Sequence, residues 1–144
     1  DGVLYRGLDV TPEAPECIAK LMRKEKKLFF VTNNAGQNRQ ELRDKLARIL
    51  DCPQLTTEQM ISSSYSCAQY LKEKLLDTNI GNRVHVIGTE GLCTELVSTG
   101  FNVSGGNSKE EAGMSRDQLA SYDFHSLDPI NAVVVGLDTD FNYR

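Results

Sequence analysis

The sequence has no Cys-x-x-Cys pair, no histidine at a zinc-ligand spacing from its thiols and no Gly-x-Gly-x-x-Gly. The first two absences remove a cysteine-based zinc site. The third argues against a dinucleotide-binding Rossmann domain, whose first strand runs into that glycine turn. Apolar runs are short, and none approaches the roughly 20 residues that cross a bilayer. Lysine and arginine form no long run, and the net charge is −4. Neither nucleic acid nor an anionic membrane attracts an acidic surface, so both are set aside as partners. The densest basic patch, Arg23-Lys24-Glu25-Lys26-Lys27, reads as a solvated helix end, with cations near the negative pole of the helix dipole.

What is present is ordinary for a soluble globular chain: 40% hydrophobic and 25% charged residues over 144 positions. That length can bury one real core. Four cysteines, Cys17, Cys52, Cys67 and Cys93, are widely spaced among apolar residues. They are expected to be buried, reduced thiols, which points to a reducing compartment and a cytoplasmic location.

The pattern alternates strand and helix. Residues 2–4 read as the tail of a first strand. Residues 12–27 read as a helix, with Pro15 in its first turn and Cys17, Ile18, Leu21 and Met22 on one face. Residues 28–32 are a continuous apolar run, the signature of a strand buried on both sides of a parallel sheet. Asn38 with Glu41 predicts a capping box, and Leu42, Leu46, Ile49 and Leu50 form the stripe behind it. Ser62-Ser63-Ser64 opens a third helix lined by Tyr65, Ala68, Leu71 and Leu75. A polar break at 77–82 holds the turn residues Asn79 and Gly81. A strand over 83–88 and a helix over 90–99 follow, with Gly100 as the C-terminal glycine. Residues 104–129 are polar and patternless apart from a short helix near 115–121, and 131–136 read as a last buried strand. The fold class is therefore α/β with parallel strands. Two units are expected in series, residues 1–80 and residues 81–144.

In open parallel sheets, ligands bind beyond the carboxyl ends of the strands. Asp1-Gly2 and Thr32-Asn33-Asn34 both fall there. Thr32 offers a hydroxyl donor, and the amides after it enter a loop, which suits an anion's oxygens. A carboxylate beside that anion is repelled unless a cation or a proton lies between them. A divalent ion on hard oxygen ligands resolves the conflict, and Mg2+ is the usual choice beside phosphate. Alone, each signal more often marks a turn than a site.

The two motifs taken together, Asp1-Gly2-Val3-Leu4-Tyr5 and Phe29-Phe30-Val31-Thr32-Asn33-Asn34 with Arg39 beyond, resemble the haloacid-dehalogenase superfamily. The closer resemblance is to the branch holding 4-nitrophenyl phosphatases, phosphoglycolate phosphatase, pyridoxal phosphate phosphatase and the NagD-type nucleotide phosphatases. It runs on through Ile61-Ser62-Ser63-Ser64, Val84-His85-Val86-Ile87-Gly88 with Glu90-Gly91-Leu92, and Val133-Val134-Val135-Gly136-Leu137-Asp138. It implies a Rossmann-like hydrolase core over 1–80 and the first part of an inserted α/β cap over 81–144. The implied activity is Mg2+-dependent phosphomonoester hydrolysis through an aspartyl-phosphate, on a small phosphorylated metabolite, with a homodimer through the cap as a possible assembly. Asp1 matches the family's general acid and base, and its backbone carbonyl a Mg2+ ligand. Thr32 matches the hydroxyl that grips the transferring phosphoryl group, aided by the Asn33 backbone N–H and Gly2. Asn34 and Arg39 take supporting places.

Several parts of that pattern have no match. The nucleophilic aspartate would lie two positions before Asp1, and no segment matches the family's lysine or its acidic metal motif. Asp138-Thr139-Asp140 aligns with a cap-domain Gly-x-Asp rather than with metal ligands. The sequence is therefore expected to be an internal piece of a longer enzyme, inactive alone. Residues 105–128 are the candidate substrate selector, while His85 and His125 carry no assigned role. The competing class is a phosphate- or nucleotide-binding α/β domain without turnover, or an inactive relative.

Overall fold

The computed structural model describes residues 2–106, 115–121 and 129–138. It is an α/β chain, as its alternating pattern predicts. Residues 2–4 are not the tail of a strand. The Gly2 N–H donates to the Tyr5 carbonyl at 2.8 Å, which curls the chain into a turn. The first strands form a small antiparallel hairpin instead, β1 (Tyr5–Arg6) with β2 (Asp9–Val10). Gly7, with φ of 65°, supplies the positive angle that a two-residue hairpin loop requires.

Helix α1 spans Ala14–Arg23, shorter at both ends than the apolar spacing suggests. Its end is closed at Glu25, whose φ of 53° is left-handed. The Lys26 N–H then reaches back to the Leu21 carbonyl at 3.1 Å, so the helix is capped before the basic run finishes. Ala14 and Ile18 face the core, while Cys17 is exposed beside them, against the expectation of a buried thiol. Cys52 is buried, and Cys67 and Cys93 are half-buried.

Strand β3 (Phe30–Thr32) pairs in parallel with β4 (Met60–Ser62), and Thr32 sits opposite Ser62. Phe30 is buried, but Val31 is 74% exposed. The strand is thus buried on one face only, because among the described residues little covers the Val31 side. Helix α2 (Arg39–Ile49) makes the crossover, with Leu42, Leu46 and Leu50 packed under the pair. Tyr5, Ile18, Phe30, Leu55 and Met60 are also part of this first apolar cluster.

Helix α3 (Ser63–Leu71) leads through a wider π turn (Lys72–Leu76) to the break at 77–82. There Asn79 and Gly81 both take positive φ. Strand β5 (Arg83–Ile87) then forms the centre of a parallel sheet of order β6-β5-β7, with β6 at Asn102–Gly105 and β7 at Ala132–Val135. Helix α4 (Glu90–Thr99) ends at Gly100 in the left-handed conformation its sequence foretells. A short helix α5 spans Arg116–Ala120. A second cluster joins Ala68, Val84, Val86, Leu92, Leu96 and Phe101. Packing therefore changes partners between Met60 and Ala68.

Strand β6 is not evident in its polar sequence, Asn-Val-Ser-Gly; it forms because β5 offers it an open backbone edge. Among the described residues, strand β7 is an edge strand buried on one face only: Val134 faces the core, while Val133 and Val135 are 62% and 71% exposed.

Candidate active site

The loop that carries the predicted phosphate contact is built by its own side chains. Thr32 ends β3, and its Oγ1 accepts the Asn34 N–H at 3.1 Å. Accepting that bond leaves the hydroxyl's own proton available as a donor. Asn34 turns the chain again: its Oδ1 accepts the Gly36 N–H at 2.7 Å. At the far end, Asn38 Oδ1 accepts the Glu41 N–H at 2.9 Å and Glu41 Oε2 accepts the Asn38 N–H at 3.0 Å. Both predicted members of the capping box are in place.

Three hydroxyls outside the loop hold its carbonyls. Ser63 Oγ donates to Asn33 O at 2.9 Å, and Ser64 Oγ donates to Ala35 O at 3.0 Å. Thr89 Oγ1 donates to the same Ala35 oxygen at 2.8 Å. Thr89 is the residue before α4, yet its side chain makes no bond to its own helix. Ser62, opposite Thr32, turns inward and caps α3 by accepting the Tyr65 N–H at 3.1 Å.

Arg39 begins α2. Its backbone N–H donates to Glu95 Oε1 at 2.5 Å, and its Nε donates to Glu95 Oε2 at 3.2 Å. Its guanidinium also lies 4.0 Å from the centre of the Tyr65 ring, at cation–π distance. Arg39 therefore ties the end of the loop to α4 and α3 at once. Nothing in the sequence alone marks Glu95 or Thr89 as part of this site. Only the hydroxyl run at 62–64 gives a local signal, since serines gather at helix starts.

Beside the loop, Val3, Leu4 and Tyr5 share with Phe29, Val31 and Thr32 a largely apolar cavity of about 350 Å³. The turn after Gly2 and the end of β3 thus border one hollow. Asp1, the predicted acid–base residue and carbonyl ligand, lies outside the described residues. Gly2 is described, and in this geometry its N–H is turned to Tyr5. Asn33 is exposed at the mouth of the loop. His85 Nδ1 is 3.0 Å from Ser104 Oγ on an open part of the second sheet, away from the loop. His125 and most of the 105–128 selector stretch lie outside the described residues.

Among the described residues, no group of three or more Asp, Glu, His or Cys side chains converges on a possible cation position. No helix among the described residues is long and apolar enough to cross a membrane.

The fold and this loop define a class. Residues 1–102 match the haloacid dehalogenase-like hydrolase model, and the chain belongs to that family. Among its relatives is phosphoglycolate phosphatase 2 of Arabidopsis thaliana, 34% identical over 144 residues, a match covering 99% of this chain and 46% of that protein. A solved p-nitrophenyl phosphatase from Archaeoglobus fulgidus superposes with a TM-score of 0.63 at 27% identity, over 72% of this chain and 38% of that one. A glycerol phosphate phosphatase from Mycobacterium tuberculosis, solved in complex with magnesium, superposes with a TM-score of 0.68 at 25% identity, over 99% of this chain and 35% of that one. The chain spans less than half the length of each of these relatives.

Proposed function

We propose that the protein is a phosphomonoester hydrolase acting on a small phosphorylated metabolite. The observation that carries the proposal is the Thr32 loop. A hydroxyl stands at the carboxyl end of a parallel strand and accepts the Asn34 N–H, and the loop that follows is held from behind by Ser63, Ser64 and Thr89. Fixed donors of this kind stabilise charge on a transferring phosphoryl group without reorganising during the reaction. The relatives' names, which are phosphatases, support the same reading.

In this proposal the nucleophile is a carboxylate two positions before Asp1, and it forms a covalent phospho-enzyme that water then hydrolyses. Asp1 protonates the leaving alkoxide and afterwards takes a proton from the attacking water. Thr32 Oγ and the Asn33 N–H hold phosphoryl oxygens, while Asn34 and Arg39 keep the loop in shape. A Mg2+ requirement is part of the proposal, by analogy with the magnesium complex of the glycerol phosphate phosphatase. The ion would neutralise charge between carboxylate and phosphate. The 81–144 region is proposed as part of a cap whose loops choose the substrate.

The test is hydrolysis of 4-nitrophenyl phosphate by the protein expressed from its complete gene, with Mg2+ and with EDTA, beside Asp1→Asn. Turnover that requires the metal and falls by about 100-fold or more in the variant is expected. No turnover by a folded protein, or full activity in Asp1→Asn, would overturn the assignment.

A further inference from the structure

Glu95 is a charged group in an unusual place. It is 4% exposed, on a helix that otherwise packs Leu92 and Leu96 into the second apolar cluster. Burying a carboxylate is costly unless it is paired and fully hydrogen-bonded. Its two oxygens are both used, and both face Arg39 at the end of the Thr32 loop, 56 residues earlier in the chain. One of the two bonds goes to a backbone N–H in the first turn of α2. Such groups have no partner within their own helix, and negative charge is favoured beside them. Asn38 satisfies the Glu41 N–H from within the segment. Glu95 satisfies the Arg39 N–H from outside it.

Two further contacts come from the same end of α4. Gly91 lies one helical turn before Glu95 and so shares its face. A Cβ at Gly91 would lie 2.7 Å from the Gln37 backbone, closer than real Cβ atoms approach, so the loop passes hard against the helix there. Thr89 gives its hydroxyl to Ala35 rather than to its own helix. Positions 35, 37 and 39 are thus each touched by α4, through Thr89, Gly91 and Glu95 respectively.

We propose that α4 is the positioning element of the Thr32 loop, with Glu95 its principal residue. Glu95 touches no phosphate in this arrangement; it fixes the far end of the segment whose near end presents Thr32. Gly91 sets the distance of closest approach, and Thr89 fixes the middle. This inference rests on the reading of Thr32 as the residue that grips a phosphoryl group.

The test uses the protein expressed from its complete gene, with Glu95→Gln and Gly91→Ala. Glu95→Gln keeps the shape and one acceptor but removes the charge, and circular dichroism checks that it folds. Hydrogen exchange at the Arg39 amide and across 33–38 should quicken at least about tenfold, because the charged partner of that amide is gone. With 4-nitrophenyl phosphate, kcat/KM should fall about 10- to 100-fold, as expected when a binding group is displaced by an ångström or less. The inhibition constant for inorganic phosphate should rise with it. In a Thr32→Ala background the same substitution should cost less than about twofold, because residues acting through one another are not additive. Gly91→Ala should reproduce the exchange effect by steric displacement.

Unchanged exchange at Arg39 and 33–38 in a folded Glu95→Gln protein would overturn the proposal. So would an equal activity loss in the Thr32 and Thr32→Ala backgrounds. Absence of turnover in the unmodified protein would instead sink the phosphatase reading, and the exchange measurement would still decide whether α4 holds the loop.

Discussion

Two strand-to-helix loops in this molecule start alike and finish differently. The first runs from β3 to α2, is long, and caps its helix with its own Asn38. The second, from β5 to α4, is only Gly88-Thr89, and its capping residue leaves its own helix without a side-chain bond. Thr89 spends its hydroxyl on the first loop instead. The first loop is supported from outside; the second supplies part of that support. A residue at a helix start can serve its own helix or another segment, and only the fold tells which.

The comparison breaks most sharply at Thr32. Under the proposed function, Thr32→Ala removes the hydroxyl that grips the phosphoryl group. Activity toward 4-nitrophenyl phosphate should fall about 100- to 1000-fold, the range seen when one preorganised donor is lost. The matched change in the second loop, Thr89→Val, should leave activity within about tenfold, since Ser64 still holds Ala35. Equal losses at the two positions would show that the loops do not divide their work in this way.

Stability should separate the caps more gently. Asn38→Ala should cost about 1 kcal/mol in urea unfolding, because the Glu41 N–H loses its side-chain acceptor. Thr89→Ser should cost well under that, since the hydroxyl to Ala35 is retained. A Thr89→Ser loss as large as that of Asn38→Ala would show that the methyl, and not the hydroxyl, matters at position 89.

The smallest effect is chemical and tells the two clusters apart. Burial pushes the Cys52 thiol up, helped by the nearby Asp51 charge, and burial pushes Cys67 up as well. Both stay protonated through neutral pH and react slowly, because the thiolate is the nucleophile. Maleimide at pH 7.5 should therefore label exposed Cys17 first. In rising urea, the order in which Cys52 and Cys67 become reactive reports which apolar cluster opens first. Rapid labelling of Cys52 without denaturant would contradict the packing described here.

The parts of this architecture legible in the sequence are those whose causes are local. Asn38 and Glu41 are three residues apart, so their capping box could be read directly. Gly100 and the 77–82 break are likewise written in residues that take positive φ without strain. The parts that were not legible depend on distant partners. Strand β6 has little strand preference of its own and exists because β5 offers an edge. The open faces of β3 and β7 could not be foreseen from apolar runs, since a run shows what a strand could bury and not what covers it. The contact of Glu95 with Arg39 is not legible, because a glutamate among helical leucines gives no sign of a partner 56 residues away.

One oxygen joins these two loops. The Ala35 carbonyl receives Ser64 from α3 and Thr89 from the start of α4, so both of its lone pairs are engaged. It belongs to the main chain, and substitution at position 35 leaves it where it is. The two bonds to this oxygen would survive a change of side chain at position 35, whereas each needs a hydroxyl at position 64 or 89. Selection could thus vary residue 35 for many generations without loosening the junction, and sequence variability there would conceal the atom on which two helices converge.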